Sequence, residues 1–146
     1  MALTFDGPLV MPVADPDDGE RTARSLANRL SGDCTVIVVH VVERGSGKLD
    51  SVPVATGGRS TPNQYFERTR PPLEDTGATV QTEVLYGPDI VDTIFEAATD
   101  MEADSIVFIP REGSVLTEVL TGGVARRLVR DAELPVVVLP RESEYR

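Results

Sequence analysis

The chain has 146 residues, of which 40% are hydrophobic, enough for one domain with a single core of ordinary proportions. Acidic residues outnumber basic ones 24 to 14, a formal charge of -10, so the field of the whole protein opposes nucleic acid and anionic membranes as partners. No run approaches the roughly 20 apolar residues that span a bilayer, and "MALTFDGPLVMPV" lacks the basic start of a signal peptide, so residues 1–146 read as one soluble, cytoplasmic domain.

In chain order, "PLVMPV" (8–13) is a short apolar strand, and "DDGERTARSLANRLSGD" follows with Ala23, Leu26, Ala27 and Leu30 at helical spacing. "CTVIVVHVVE" (34–43) is β-branched almost throughout, the composition of a central strand buried on both faces. Cys34, the only cysteine, opens that run and reads as a buried structural residue. One thiol and one histidine make neither a disulfide framework nor a usual zinc site, and no metal is expected.

Residues 44–63, rich in Gly, Ser and Pro, read as a long surface loop. "QYFERTRPPLEDTG" (64–77) has helical character, but Pro71-Pro72 removes two backbone donors and predicts a break at Arg70. "ATVQTEVLY" (78–86) alternates like a strand exposed on one face. "PDIVDTIFEAATDM" (88–101) sets Ile90, Ile94 and Ala97 on one helical stripe, and "SIVFIP" (105–110) is a further buried strand. After the loop "REGSVLTEVLTGG" come the helix "VARRLVRDA" and the strand "LPVVVLP" (134–140).

This regular alternation predicts an α/β fold with a parallel open sheet, helices on both faces and right-handed crossovers. Ligands of such sheets bind outside the carboxyl ends of the strands where strand order reverses, which points to the loops after "PLVMPV" and "SIVFIP". Gly122-Gly123 reads either as a tight turn or as the rim of a phosphate site. Only Lys48 among the 14 basic residues is lysine, and the acidic residues are scattered along helical stretches, a pattern that predicts adaptation to concentrated salt.

"LVMPV" with its acidic segment, "VVHVVE", "GPDIVDTIFEAATDMEADSIVFIP" and "LTGGVARRLVRDAELPVVVLP" together resemble the universal stress protein family over nearly the whole chain. The resemblance implies a five-stranded sheet of order 3-2-1-4-5, akin to Rossmann and adenine nucleotide alpha hydrolase folds. It also implies a homodimer joined through the C-terminal strand, whose unpaired edge would favour such pairing.

Some family members bind ATP through a loop reading Gly, two residues, Gly, nine residues, then Gly followed by Ser or Thr. Glycines let the backbone approach phosphate, and the amides of the helix start point at it. With Gly122 on the last glycine, Gly123 falls on the hydroxyl position, Glu112 on the second glycine and Ile109 on the first. The loop is degenerate, and a carboxylate at Glu112 would repel a triphosphate. Gly113-Ser114 stands one residue further on and could restore room, and Arg111 could supply a positive contact.

Nucleotide-binding relatives carry Asp directly after the Pro-Val pair, here Pro12-Val13, where this chain has Ala14 and then Asp15. Asp15 reads either as a ribose contact or as a helix cap beside Asp17 and Asp18. Val41 matches a position whose backbone faces adenine. The nucleotide-binding candidates are therefore Pro12, Val13, Asp15, Val41, Arg111, Gly113, Gly122, Gly123 and Val124.

The function expected is that of a cytoplasmic stress-response protein, a non-catalytic homodimer with weak or lost ATP binding and its own protein partners. The alternative is a regulatory module or sensor binding ATP or AMP, with Mg²⁺ as a possible companion. Against an enzyme, His40 in "VIVVHVVE" reads as a satisfied interior histidine. Ser114, Thr117 and Thr121 lack a nucleophile signature, and Asp15, Asp17 and Asp18 lack a metal-ligand spacing. A slow Mg²⁺-dependent ATPase is the enzymatic reading left open.

Overall fold

The computed structural model describes residues 5, 7–14, 16–43, 66–109 and 122–139. In chain order the elements are β1 (Leu9–Pro12), α1 (Pro16–Ala27), β2 (Thr35–Glu43), α2 (Arg70–Glu74), β3 (Thr79–Gly87), α3 (Ile90–Asp100), β4 (Ser105–Phe108), α4 (Gly122–Arg130) and β5 (Val136–Val138). The five strands form one parallel sheet of order β3-β2-β1-β4-β5, as expected. The loop expected at 44–63 lies outside the described residues, as do Asp15, Arg111, Glu112 and Gly113.

Strand position explains strand composition. β1 and β4 are buried at every residue, and β2 is buried from Val36 to Val41, because each has a neighbour on both edges and helices on both faces. On one face, Leu9, Met11, Val13, Val36, Val38 and Val107 pack against Ala23 and Leu26 of α1 and Leu73 of α2. On the other, Val10, Ile37, Val39, Val41, Ile106 and Phe108 pack against Ile90, Ile94 and Phe95 of α3 and Leu128 of α4. Each such side chain contributes about 1.5–3 kcal/mol relative to exposure. Edge strand β3 alternates exposed and half-buried residues, and edge strand β5 leaves Val138 46% exposed.

Two boundaries differ from the sequence expectation. The first helix stops at Ala27, and Leu30 instead forms a bridge with Phe5: the Phe5 N–H donates to Arg29 O at 2.8 Å and the Ser31 N–H to Phe5 O at 2.9 Å. Tertiary pairing of backbone with the chain's start replaces the last helical turn. The interruption expected near Arg70 is present: Phe66 is helical, residues 67–69 turn and α2 starts at Arg70, with Pro71 and Pro72 in its first turn, where a missing N–H forfeits no bond and the fixed φ suits the helix. Gly122 and Gly123, expected as a turn before the last helix, are themselves its first residues.

Two residues take left-handed backbone angles. Gly77 (φ +94°) turns the chain from α2 into β3, a conformation that glycine adopts without penalty. Glu102 (φ +58°) closes α3, with the Ala103 N–H donating back to Ala98 O at 2.9 Å in the manner of a Schellman ending, which usually carries glycine at that point.

Candidate functional site

β1 lies between β2 and β4, so strand order reverses at β1. The connection from β1 enters α1 on one face of the sheet, and that from β4 leads to α4 on the other. β1 and β4 are thus followed by helices on opposite faces, and sheets of this kind bind ligands outside the carboxyl ends of the strands at such a point. Because β4 and β5 are parallel, α4 runs back against them and presents its N-terminus at that same edge.

The β1 wall is firmly held. Pro12 closes the strand opposite Val39, and the Val13 N–H donates to Val39 O at 2.9 Å. Val13 O lies 3.0 Å from Nδ1 of His40, a side chain 8% exposed. A carbonyl only accepts, so Nδ1 carries the proton in this contact. The next amide, Ala14 N–H, donates to Oδ2 of Asp18 at 2.9 Å, and Asp18 is 2% exposed. Asp18 stands in the first turn of α1, reaching back to the residues before the helix much as the acidic member of a capping box does.

The opposite wall is the start of α4. Its first amides have no carbonyl partners within the helix, and together they carry the positive end of the helix dipole. No acidic residue stands in this first turn. Gly123 is exposed, and a side chain there would meet nothing within 4 Å. Val124 and Ala14 pack against the apolar cluster that holds the buried Val41. The fold thus places Pro12, Val13, Val41, Gly122, Gly123 and Val124 toward the carboxyl edge of the sheet, with Pro12, Val13 and Val41 buried and Gly123 exposed. Asp15, Arg111 and Gly113 lie outside the described residues. Ile109, aligned with the first glycine of the phosphate loop, is 2% exposed and belongs to the core.

An ion pair steadies the α4 wall from behind. Arg127 Nη1 of α4 lies 3.0 Å from Oδ2 of Asp89, the N-cap of α3, whose Oδ1 accepts the Asp92 N–H at 3.0 Å. The Arg127 guanidinium, and then the Asp92 amide, hold the Asp89 carboxyl below the usual carboxylate range, while Asp89 in turn raises Arg127. Sequence reasoning did not find this pair, nor the contacts of Asp18 and His40 with the β1–α1 turn. Asp89 directly before the Ile90/Ile94/Ala97 stripe was a readable capping signal. Its partner, 38 residues away, carried none.

A second depression, a groove of about 320 Å³, is lined by Asp17, Glu20, Arg21, Arg24 and Arg68. Arg68 bridges Asp17 at 2.5 Å and Glu20 at 3.0 Å, and Arg24 meets Glu20 at 2.6 Å, so the charges largely satisfy one another on a solvated face. Among the described residues no cluster of three or more His, Cys, Asp or Glu could hold a metal ion, and no helix is long and apolar enough to cross a membrane.

Residues 7–140 match the model of the Universal stress protein family. The chain belongs to the universal stress protein family.

Solved universal stress proteins share its fold. One from Archaeoglobus fulgidus in complex with dAMP is 23% identical, with a TM-score of 0.63, covering 95% of this chain and 99% of its own. Another, in complex with cAMP, is 15% identical with a TM-score of 0.64 and coverage of 97% and 100%. A family member from Arabidopsis thaliana with AMP bound is 17% identical with a TM-score of 0.61 and coverage of 95% and 94%. No curated protein sequence matches the chain.

Proposed function

We propose that this universal stress protein is a non-catalytic cytoplasmic module that binds an adenosine monophosphate in the crevice between β1 and α4, with ATP binding weak or lost. The observation that carries the reading is the start of α4: an acid-free positive helix end whose Gly123 leaves open space. An anion approaching these amides would meet no side chain on Gly123. In this reading Pro12, Val13 and Val41 meet the nucleoside, Asp15 the ribose, and the amides at Gly122, Gly123 and Val124 a single phosphate.

One phosphate suits the chain better than three. Glu112 stands where the family's loop needs a glycine, and Ile109 is consumed by the core. A triphosphate would have to pass the carboxylate, whereas a monophosphate held by α4 alone need not. The ligands named for the three solved relatives, dAMP, cAMP and AMP, each carry one phosphate.

Calorimetric titration of the purified chain with AMP, and with ATP and Mg²⁺, tests the proposal. The expected result is saturable heat with AMP and affinity for ATP at least about tenfold weaker, a difference of roughly 1.4 kcal/mol. Absence of heat with both nucleotides, or tighter binding of ATP, overturns it. The buried Ile109 favours a second reading, a stress-linked dimer that needs no nucleotide and pairs through the β5 edge. Under that reading Val138→Glu yields a monomer on sedimentation while the parent binds no nucleotide.

A further inference from the structure

The peptide group between Val13 and Ala14 is gripped at both ends. His40 Nδ1 donates to its carbonyl at 3.0 Å, and the Asp18 carboxylate accepts its amide proton at 2.9 Å. Both side chains are among the few buried polar residues in the described part of the chain, 8% and 2% exposed, and they come from different elements, β2 and α1. Burying a carboxylate is costly unless hydrogen bonds compensate it. At this turn the sheet ladder ends: Val13 still donates to Val39 O, and Ala14 does not continue the strand.

We propose that His40 and Asp18 are positioning residues that fix the plane of the Val13–Ala14 peptide and thereby shape the β1 wall of the crevice. With both polar ends of that peptide engaged internally and Pro12 buried, the wall shown to a ligand is the apolar side chain of half-buried Ala14. A peptide free to rotate would turn its N–H or C=O into the crevice and compete, through water, with the nucleoside. The clamp is thus a specificity device: it keeps this wall suited to the flat, apolar face of a base. This inference rests on the nucleotide-binding reading for its functional part, whereas the clamp itself is measurable without ligand.

Two measurements on the full chain test it. Amide hydrogen exchange by NMR reads the clamp directly. Asp18→Ala is expected to accelerate exchange at Ala14 by about tenfold or more, the loss of one charge-assisted bond, and to leave mid-strand Val38 unchanged. Titration with AMP reads its consequence. His40→Leu, apolar and without a donor, is expected to weaken AMP binding by about tenfold, and His40→Asn, whose amide nitrogen sits near the place of Nδ1, to restore it to within about threefold.

A purely structural role predicts instead that both His40 variants lose affinity in proportion to lost stability, with no rescue by Asn. That result overturns the proposal, as does unchanged Ala14 exchange in Asp18→Ala. Should the parent bind no AMP, the nucleotide reading and the specificity role fall together, and the exchange data decide the clamp alone. If His40→Leu does not fold, the comparison of His40→Asn with the parent and the Asp18→Ala exchange data still decide it: affinity lost in the Asn variant with Ala14 unaffected counts against the clamp.

Discussion

Gly123 is the point at which the crevice is most open to change. A serine hydroxyl there would enter empty space at the positive end of α4, adding a donor where a phosphate oxygen would lie. Gly123→Ser is therefore expected to tighten AMP binding by about threefold to tenfold, as one more hydrogen bond allows, with calorimetry as the check. Because serine is a better helix former than glycine, the same variant should gain about 0.5 kcal/mol in stability and not lose it. Weaker binding would mean that phosphate does not approach this turn. At this scale the sequence was legible only in part. The glycine pair and Val41 could be read from motif spacing, but the engagement of Asp18 with Ala14 N–H and of His40 with Val13 O depends on how far β1 runs before the chain turns, which periodicity does not report.

Among the elements, β2 and α3 were legible because their patterns admit one reading. "TVIVVHVVE" is too uniformly β-branched for a helix, and the Ile90/Ile94/Ala97 stripe has no strand alternative. The interruption before α2 was legible from Pro71-Pro72, whereas the helix that restarts at Arg70 was not, because prolines in a first turn look locally the same as prolines that end a helix. The end of α3 carries a testable strain. Glu102 holds a left-handed angle better suited to glycine, so Glu102→Gly is expected to stabilise the fold by about 0.5–1 kcal/mol and raise the melting temperature by about 2 °C. The other end of α3 carries a pH dependence. The Asp89 carboxyl is held below its ordinary value of 3.8 in the fold, so its contribution is fully present above that value and is lost as pH falls through the lower, folded one. Asp89→Asn keeps the cap and removes the charge. The stability gap between parent and variant, measured by urea unfolding, should be constant near neutral pH and close in acid; a gap independent of pH would show that Arg127 contributes nothing.

Across the whole molecule, charge is the dominant feature. Glu67, Glu74, Asp75, Glu83, Asp92, Glu96, Asp100, Glu102 and Asp104 are all exposed and spread over several elements, so repulsion among them acts everywhere on the surface. The proposed salt adaptation predicts that the melting temperature climbs as KCl is raised from about 0.1 M, where the screening length is near 10 Å, to molar concentrations, where it is near 3 Å. Full stability in dilute buffer would refute it. One further feature gives access to the motion of the whole fold. Cys34 is the chain's only thiol, is wholly buried, and its Sγ contacts Gly7 O at 3.0 Å where the start of β2 meets the residues leading into β1. A thiol reagent reaches it only when that corner comes apart. Its labelling rate under native conditions is therefore a clock for opening at the centre of the sheet, and addition of AMP should slow that clock in proportion to the ligand's occupancy if the crevice at the far edge stabilises the same central strands.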